Sequence, residues 1–175
     1  LVISPKSSEE AVFEVREKLL ALRERIMNGE NFATMAVLYS EDGSASKGGD
    51  LGWAAKSELD PAYSKAALAL KVGQVSKIVE TSFGYHIIQL LDRNEDRIRT
   101  RHIIMKPKIS SEAKQAAIGR LDSIMTLIRI DTLTFQKAAV LFSQDEATRN
   151  NGGLKLNQAT GNTKFQLDQF ETNEH

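Results

Sequence analysis

The feature that most constrains this chain is that it repeats itself. Pro5, Lys6, Ser8, Glu10 and Ala11 recur at one offset as Pro107, Lys108, Ser110, Glu112 and Ala113. After one extra residue, Phe32, Ala36, Val37, Leu38, Ser40 and Asp42 recur as Phe135, Ala139, Val140, Leu141, Ser143 and Asp145. Gly49 and Leu51 then match Gly152 and Leu154. Identities in order over a period of about 100 residues mean two copies of one domain. The 175 residues divide into a nearly complete first copy, residues 1–93, and a shorter second copy, residues 97–175. The charged stretch 92–101 is expected to be the boundary. Leu1 aligns with Ile103, so the first copy is expected to begin one residue past the position that matches His102. In the second copy Gly153 and Lys155 stand against Asp50 and Gly52, and Leu167-Asp168 resembles Leu59-Asp60. This copy is expected to lack its last helix and final strand pair.

Each copy mixes strands and helices. Residues 1–4 are short and apolar and stop at Pro5, which reads as a strand. Ser7 with Glu10 has the spacing of a capping box. Val12, Val15, Leu19, Leu22 and Ile26 then form the apolar face of an amphipathic helix that Gly29 ends. Ala117, Leu121, Ile124 and Ile128 repeat that stripe. Asn31 is placed to cap a second helix carrying Phe32, Met35, Ala36 and Tyr39. A loop rich in Gly and Ser spans 40–49, and residues 50–54 suit a strand. Asp60-Pro61 opens a short helix. Residues 74–80 and 85–92 read as strands joined by a turn at Ser82-Phe83-Gly84. This order lacks strict βαβ alternation. It predicts an α+β fold with a mostly antiparallel sheet.

Several function classes are excluded. The chain has no cysteine, which removes disulfides, thiolate metal sites and a cysteine nucleophile. Lys+Arg and Asp+Glu are equal at 23 each, so no bulk field attracts nucleic acid or an anionic membrane. No apolar run is long enough to insert into a membrane. The 40–49 loop is neither a phosphate-binding loop nor an EF-hand. The scattered histidines give no zinc spacing, and no cofactor is expected.

Four blocks carry a resemblance: NFATMAVLYSEDGSASKGGDLGW over 31–53, LALKVGQVSKIVET over 68–81, FGYHII over 83–88, and RHII over 101–104. In this order they resemble the parvulin (PpiC, rotamase) family of peptidyl-prolyl cis/trans isomerases. Two copies in tandem are similar to the SurA-like folding factors of the Gram-negative periplasm. The resemblance implies a four-stranded antiparallel sheet surrounded by helices. It also implies isomerisation of Xaa-Pro bonds in proline-containing unfolded or nascent polypeptides, and a periplasmic location. A parvulin-fold module that binds unfolded chains without catalysis is the alternative.

The expected chemistry needs no covalent step. Rotation about an amide faces a barrier of roughly 18–20 kcal/mol, and a catalyst has only to favour the twisted amide over the planar one. By the resemblance, Leu51, Leu59 and Tyr63 form an apolar slot for the proline ring, with Thr81 and Phe83 beside it. Leu51 by itself reads as well as ordinary core. His86 is expected to hold a hydrogen-bond network in one tautomer, with its partner on the first strand. Asp42 stands where some relatives carry cysteine; it would tune the field near the carbonyl, or serve as a loop carboxylate. His102 and Asp145 are the second-copy equivalents. On this reading neither copy holds both histidines.

Overall fold

The computed structural model describes residues 1–157 and 161–164. It divides into two compact units, Ser7–Ile109 and Leu1–Lys6 together with Ser110–His175. These are not the units that the repeat predicts. Each copy's body carries the first-strand segment of the other.

In the Ser7–Ile109 unit, α1 (Glu9–Met27) is capped by Ser8, whose side chain accepts from the Ala11 amide. The capping residue is thus Ser8 rather than Ser7, whose hydroxyl donates instead to the Pro107 carbonyl. Asn31 caps α2 (Phe32–Tyr39) through the Thr34 amide. A one-turn 3-10 helix, Ala45–Lys47, breaks the Gly/Ser loop before β1 (Asp50–Ala55). Asp60 accepts from the first amides of α3 (Pro61–Leu68), with proline at its start. Then follow β2 (Val79–Thr81), β3 (Gly84–Arg93) and β4 (Arg97–Met105).

The four strands form one sheet in the order β1-β4-β3-β2, and every pairing is antiparallel. The expected strand over 74–80 shrinks to β2 plus a single bridge, Val75 to Gln89. Ser76 is the reason. Its hydroxyl accepts from the Ile88 amide where a strand would offer a carbonyl.

In the structure the charged stretch 92–101 does not separate the two compact units. It is the turn and second arm of a hairpin, in which Asn94 accepts from the Arg97 amide and β3 pairs with β4 from Arg93↔Ile98 to Tyr85↔Met105. Alternation sorts the two faces. Tyr85, Ile87, Ile103 and Met105 join Val15, Leu19, Leu22 and Ile26 of α1 and Phe32 and Met35 of α2 in one core. Ile88, Leu90 and Ile98 join Tyr63, Ala67 and Leu70 in the other, beneath α3. Burying Ile98, Ile103, Ile104 and Met105 of β4 contributes about 1.5–3 kcal/mol each. Together they rival the whole stability of a small domain.

The other unit contains α4 (Ser111–Arg129), α5 (Phe135–Phe142) and α6 (Glu146–Arg149), capped by Ser110, Thr134 and Asp145. Residues 1–4 form no strand here. They dock through few bonds: the Val2 amide donates to Ser143 Oγ, and the Gln144 amide to the Val2 carbonyl. The structure also shifts the alignment by one residue. Gly153, not Gly152, packs against Ala139 as Gly49 packs against Ala36, so Leu154 stands where Asp50 does. Leu167-Asp168 lies outside the described residues.

Gly49 fixes the height of β4. It sits at φ +76°, accepts from the His102 amide at 2.9 Å, and an added Cβ would lie 2.1 Å from the His102 carbonyl oxygen. Gly49→Ala therefore meets both a left-handed backbone and a backbone clash. Denaturant unfolding should show a loss of about 2–4 kcal/mol, far beyond the cost of the same change at Gly43, where no atom lies within 4 Å.

Candidate active site

The register of the hairpin creates the site. β3 and β4 place His86 opposite Ile104 and Ile88 opposite His102, so the two histidines are diagonal neighbours on the face beneath α3. Their Nδ1 atoms are 3.2 Å apart. The expectation that neither copy holds both histidines is therefore corrected. His102 is not the second unit's residue. It completes the site of His86, because β4 fills the sheet of the Ser7–Ile109 unit.

The pair belongs to a longer chain of bonds. Thr81 Oγ1 lies 2.7 Å from His86 Nε2, and Asp42 Oδ2 lies 3.1 Å from His102 Nε2. The Ser40 hydroxyl donates to Asp42 Oδ1, and the Ser44 amide donates to Oδ2. Ser40 Oγ in turn accepts from the Ile104 amide, so one serine ties the acid to the strand that carries its histidine. Burial alone would raise the Asp42 pKa; the hydrogen bonds from His102, Ser44 and Ser40 outweigh it and hold it at about 2. His86 moves down to about 4, first through burial and then through the neighbouring His102.

These charges set the tautomers. Ionised Asp42 only accepts, so His102 donates from Nε2. With His102 neutral, its Nδ1 is an acceptor, and neutral His86 donates to it from Nδ1. His86 Nε2 is then an acceptor facing the Thr81 hydroxyl at 2.7 Å, a hydroxyl that also has the Gly84 carbonyl at 3.4 Å. Thr81 Oγ1 accepts from the Phe83 amide at 3.1 Å. Both imidazole N–H groups point toward Asp42.

Tyr63 braces the pair from α3. Its ring meets both imidazoles edge-on, with centroids at 5.6 and 5.8 Å. Its hydroxyl lies 3.0 Å from Thr100 Oγ1, and burial raises the phenol pKa. A cavity of about 270 Å³ opens over this floor, bounded by Leu51, Leu59, Tyr63, Phe83 and Ile104, with Asp42, His86 and His102 on one wall. The residues expected for the slot are thus brought together. Tyr63 is its base more than its rim, and Phe83 is 64% exposed at the mouth.

Asp145 has a different role. It caps α6, accepting from the Ala147 amide and the Thr148 hydroxyl, and His102 is not its partner. Sequence reasoning missed Thr100, Ile104 and Lys106. The signal was present in Arg-Ile-Arg-Thr-Arg-His-Ile-Ile, where every second residue faces the same side. It also missed the structural role of Ser40, visible only once β4 is in place.

Residues 1–92 match the rotamase family described as the PPIC-type PPIase domain, and residues 92–174 match a second rotamase family of the same description. The chain belongs to this family of peptidyl-prolyl isomerase domains and folding chaperones. It is similar to Chaperone SurA of Saccharophagus degradans, 36% identical over 99% of this chain and 42% of that protein. It is 51% identical to Chaperone SurA of Dechloromonas aromatica over 47% of this chain and 19% of that one. Among solved structures, PrsA of Bacillus cereus, a peptidylprolyl isomerase, aligns at 27% identity with a TM-score of 0.44, covering 80% of this chain and 53% of its own. The chain spans less than half the length of these SurA relatives.

Two measurements test the network. Long-range nitrogen–proton correlation NMR at neutral pH should find His86 protonated on Nδ1 and His102 on Nε2; the opposite pair of tautomers would refute the derived polarity. Stability should also depend on pH with a definite sign. The His86 pKa lies lower in the folded state, so the unfolded state binds the extra proton. Stability should fall as pH drops from about 6.5 to about 4, by about 2–3 kcal/mol at most. Loss of the Asp42 contribution comes lower, between its ordinary carboxylate range and about 2. In urea titrations His86→Gln should flatten the upper window and leave the lower one.

Proposed function

We propose that the Ser7–Ile109 unit catalyses cis/trans isomerisation of Xaa-Pro bonds in unfolded or nascent polypeptides, as part of a periplasmic folding factor. The observation that carries this reading is the coincidence of an apolar cavity with a hydrogen-bonded histidine pair on its wall. The family match and the SurA relatives support the class, and the tandem resemblance supports the compartment.

In this reading the proline ring sits against Leu51, Leu59 and Ile104, over the Tyr63 ring. The reaction breaks no bond and needs only that the planar amide be worse accommodated than the twisted one. Apolar walls remove water from the carbonyl and so weaken the solvation that favours the planar, charge-separated form. The imidazole row holds its protons internally and presents a fixed dipole, with no reorganisation cost as the amide turns. Asp42 anchors the positive, N–H end of that row. Uncatalysed exchange takes tens to hundreds of seconds, so even modest differential binding is measurable.

A second reading, a chaperone module that grips chains without turnover, is favoured by the exposed Phe83 and Trp53 and by the names of the relatives. Exchange NMR on an Ala-Xaa-Pro-Phe peptide series separates the two. On the isomerase reading the chain accelerates exchange, and His86→Ala reduces turnover by about 10²–10³-fold, the scale for removing one preorganised polar group, while peptide affinity stays within a factor of about two. Leu59→Ala should do the converse and weaken binding. Peptide bound at the slot with no acceleration by the unaltered chain would establish the chaperone reading instead.

A further inference from the structure

The side of the sheet away from the histidine pair carries a second cavity. It has a volume of about 450 Å³ and lies between the end of α1, the start of α2, the loop 73–75 and the sheet residues Gln89 and Arg101. That is a usual size for a small-molecule site. All of these residues belong to the Ser7–Ile109 unit. Strand alternation puts Arg101 on the face opposite His102, level with Asp50 on β1 and Gln89 on β3. Ile26, Phe32 and Val75 make the apolar part of the wall.

Arg101 is partly buried, and its Nε is out of contact with solvent and has no hydrogen-bond partner. A buried donor left unmatched is costly, and native proteins keep few of them. The neighbouring acids are committed elsewhere. Asp50, opposite Arg101 in register, accepts from Arg99 Nη2 at 2.6 Å and from the Gly52 amide at 2.8 Å. Glu30, on the cavity wall, accepts from Arg25 through both of its oxygens at 2.8 Å.

The amide side chains show the same imbalance. Asn31 Oδ1 accepts from the Thr34 amide at 3.1 Å, and Gln74 Oε1 accepts from the Lys71 amide at 3.0 Å. Their acceptors are used, and their NH2 groups are left as donors. Gln89 is the exception, since its Nε2 donates to the Gly73 carbonyl at 2.9 Å. The wall is therefore rich in donors, with a guanidinium at the sheet and an apolar side facing it.

We propose that this cavity binds a carboxylate with a small apolar tail. The guanidinium fork matches the two oxygens of a carboxylate. The Asn31 and Gln74 amides add neutral donors, and Ile26, Phe32 and Val75 cover the tail. The charges of Glu30 on the wall and Asp50 beside Arg101 favour a monoanion over a dianion. Two sources share this chemistry, a free aliphatic acid and the C-terminal carboxylate of a polypeptide ending in an apolar residue. The cavity is separate from the slot on the other face, and its occupation is independent of whether that slot turns over peptides.

Nitrogen–proton NMR titrations of the full, unaltered chain test this, with hexanoate, N-acetyl-Ala-Leu and N-acetyl-Ala-Leu amide as probes. Both acids should give saturable shifts at the Gly29 and Gly73 amides and at the Arg101 Nε–H. The dipeptide amide should bind roughly 10- to 100-fold more weakly than its acid, the scale of charge-assisted hydrogen bonds. Tighter binding of hexanoate supports the site with a free aliphatic acid as occupant, and tighter binding of the dipeptide acid supports it with a polypeptide terminus. Arg101→Met should abolish the response to both acids with the fold retained. The comparison of acid with amide needs no variant and decides the matter even if that chain does not fold. Equal binding of acid and amide, no saturable response to either acid, or a response that survives in folded Arg101→Met overturns the inference.

Discussion

The pairing of β4 between β1 and β3 is the constraint on which the rest depends. It supplies residues to both cores at once, Ile103 and Met105 to one face and Ile98 to the other. It also carries His102, and through Ile104 it ties Ser40 and hence Asp42 to the same backbone. Core, acid and histidine are therefore not independent features. A displacement of β4 by one residue would turn His102 away from His86 and into the α1 side of the sheet.

The two repeats show how much that strand contributes. Their first two helices are alike in sequence and in capping. Phe32 is 4% exposed beside the complete sheet, while its repeat partner Phe135 is 44% exposed. The helical stripe specifies a face, and the sheet determines whether that face is buried.

Much of this was legible in the sequence. The α1 stripe, the Asn31 and Asp60 caps and the β3 block rest on local periodicity and local hydrogen bonds, which a single chain displays directly. The slot residues Leu51, Leu59 and Tyr63 were legible through resemblance. What escaped was long-range choice. The alternation of Ile98, Thr100, His102 and Ile104 was visible, but the three interleaved arginines and the neighbouring acids disguised a strand as a linker. Nothing local distinguishes a strand that stays with its own repeat from one that crosses to the other. The one-residue slip at Gly152 and Gly153 has the same origin, since only the contacts of Gly153 with Ala139 and Leu1 reveal which glycine is the counterpart of Gly49.

The strand at the centre of the sheet is also the last of the unit to be synthesised. Until residues 97–105 have left the ribosome, β1 and β3 lack the strand that joins them in this sheet. Translation thus delivers the flanks before the keystone.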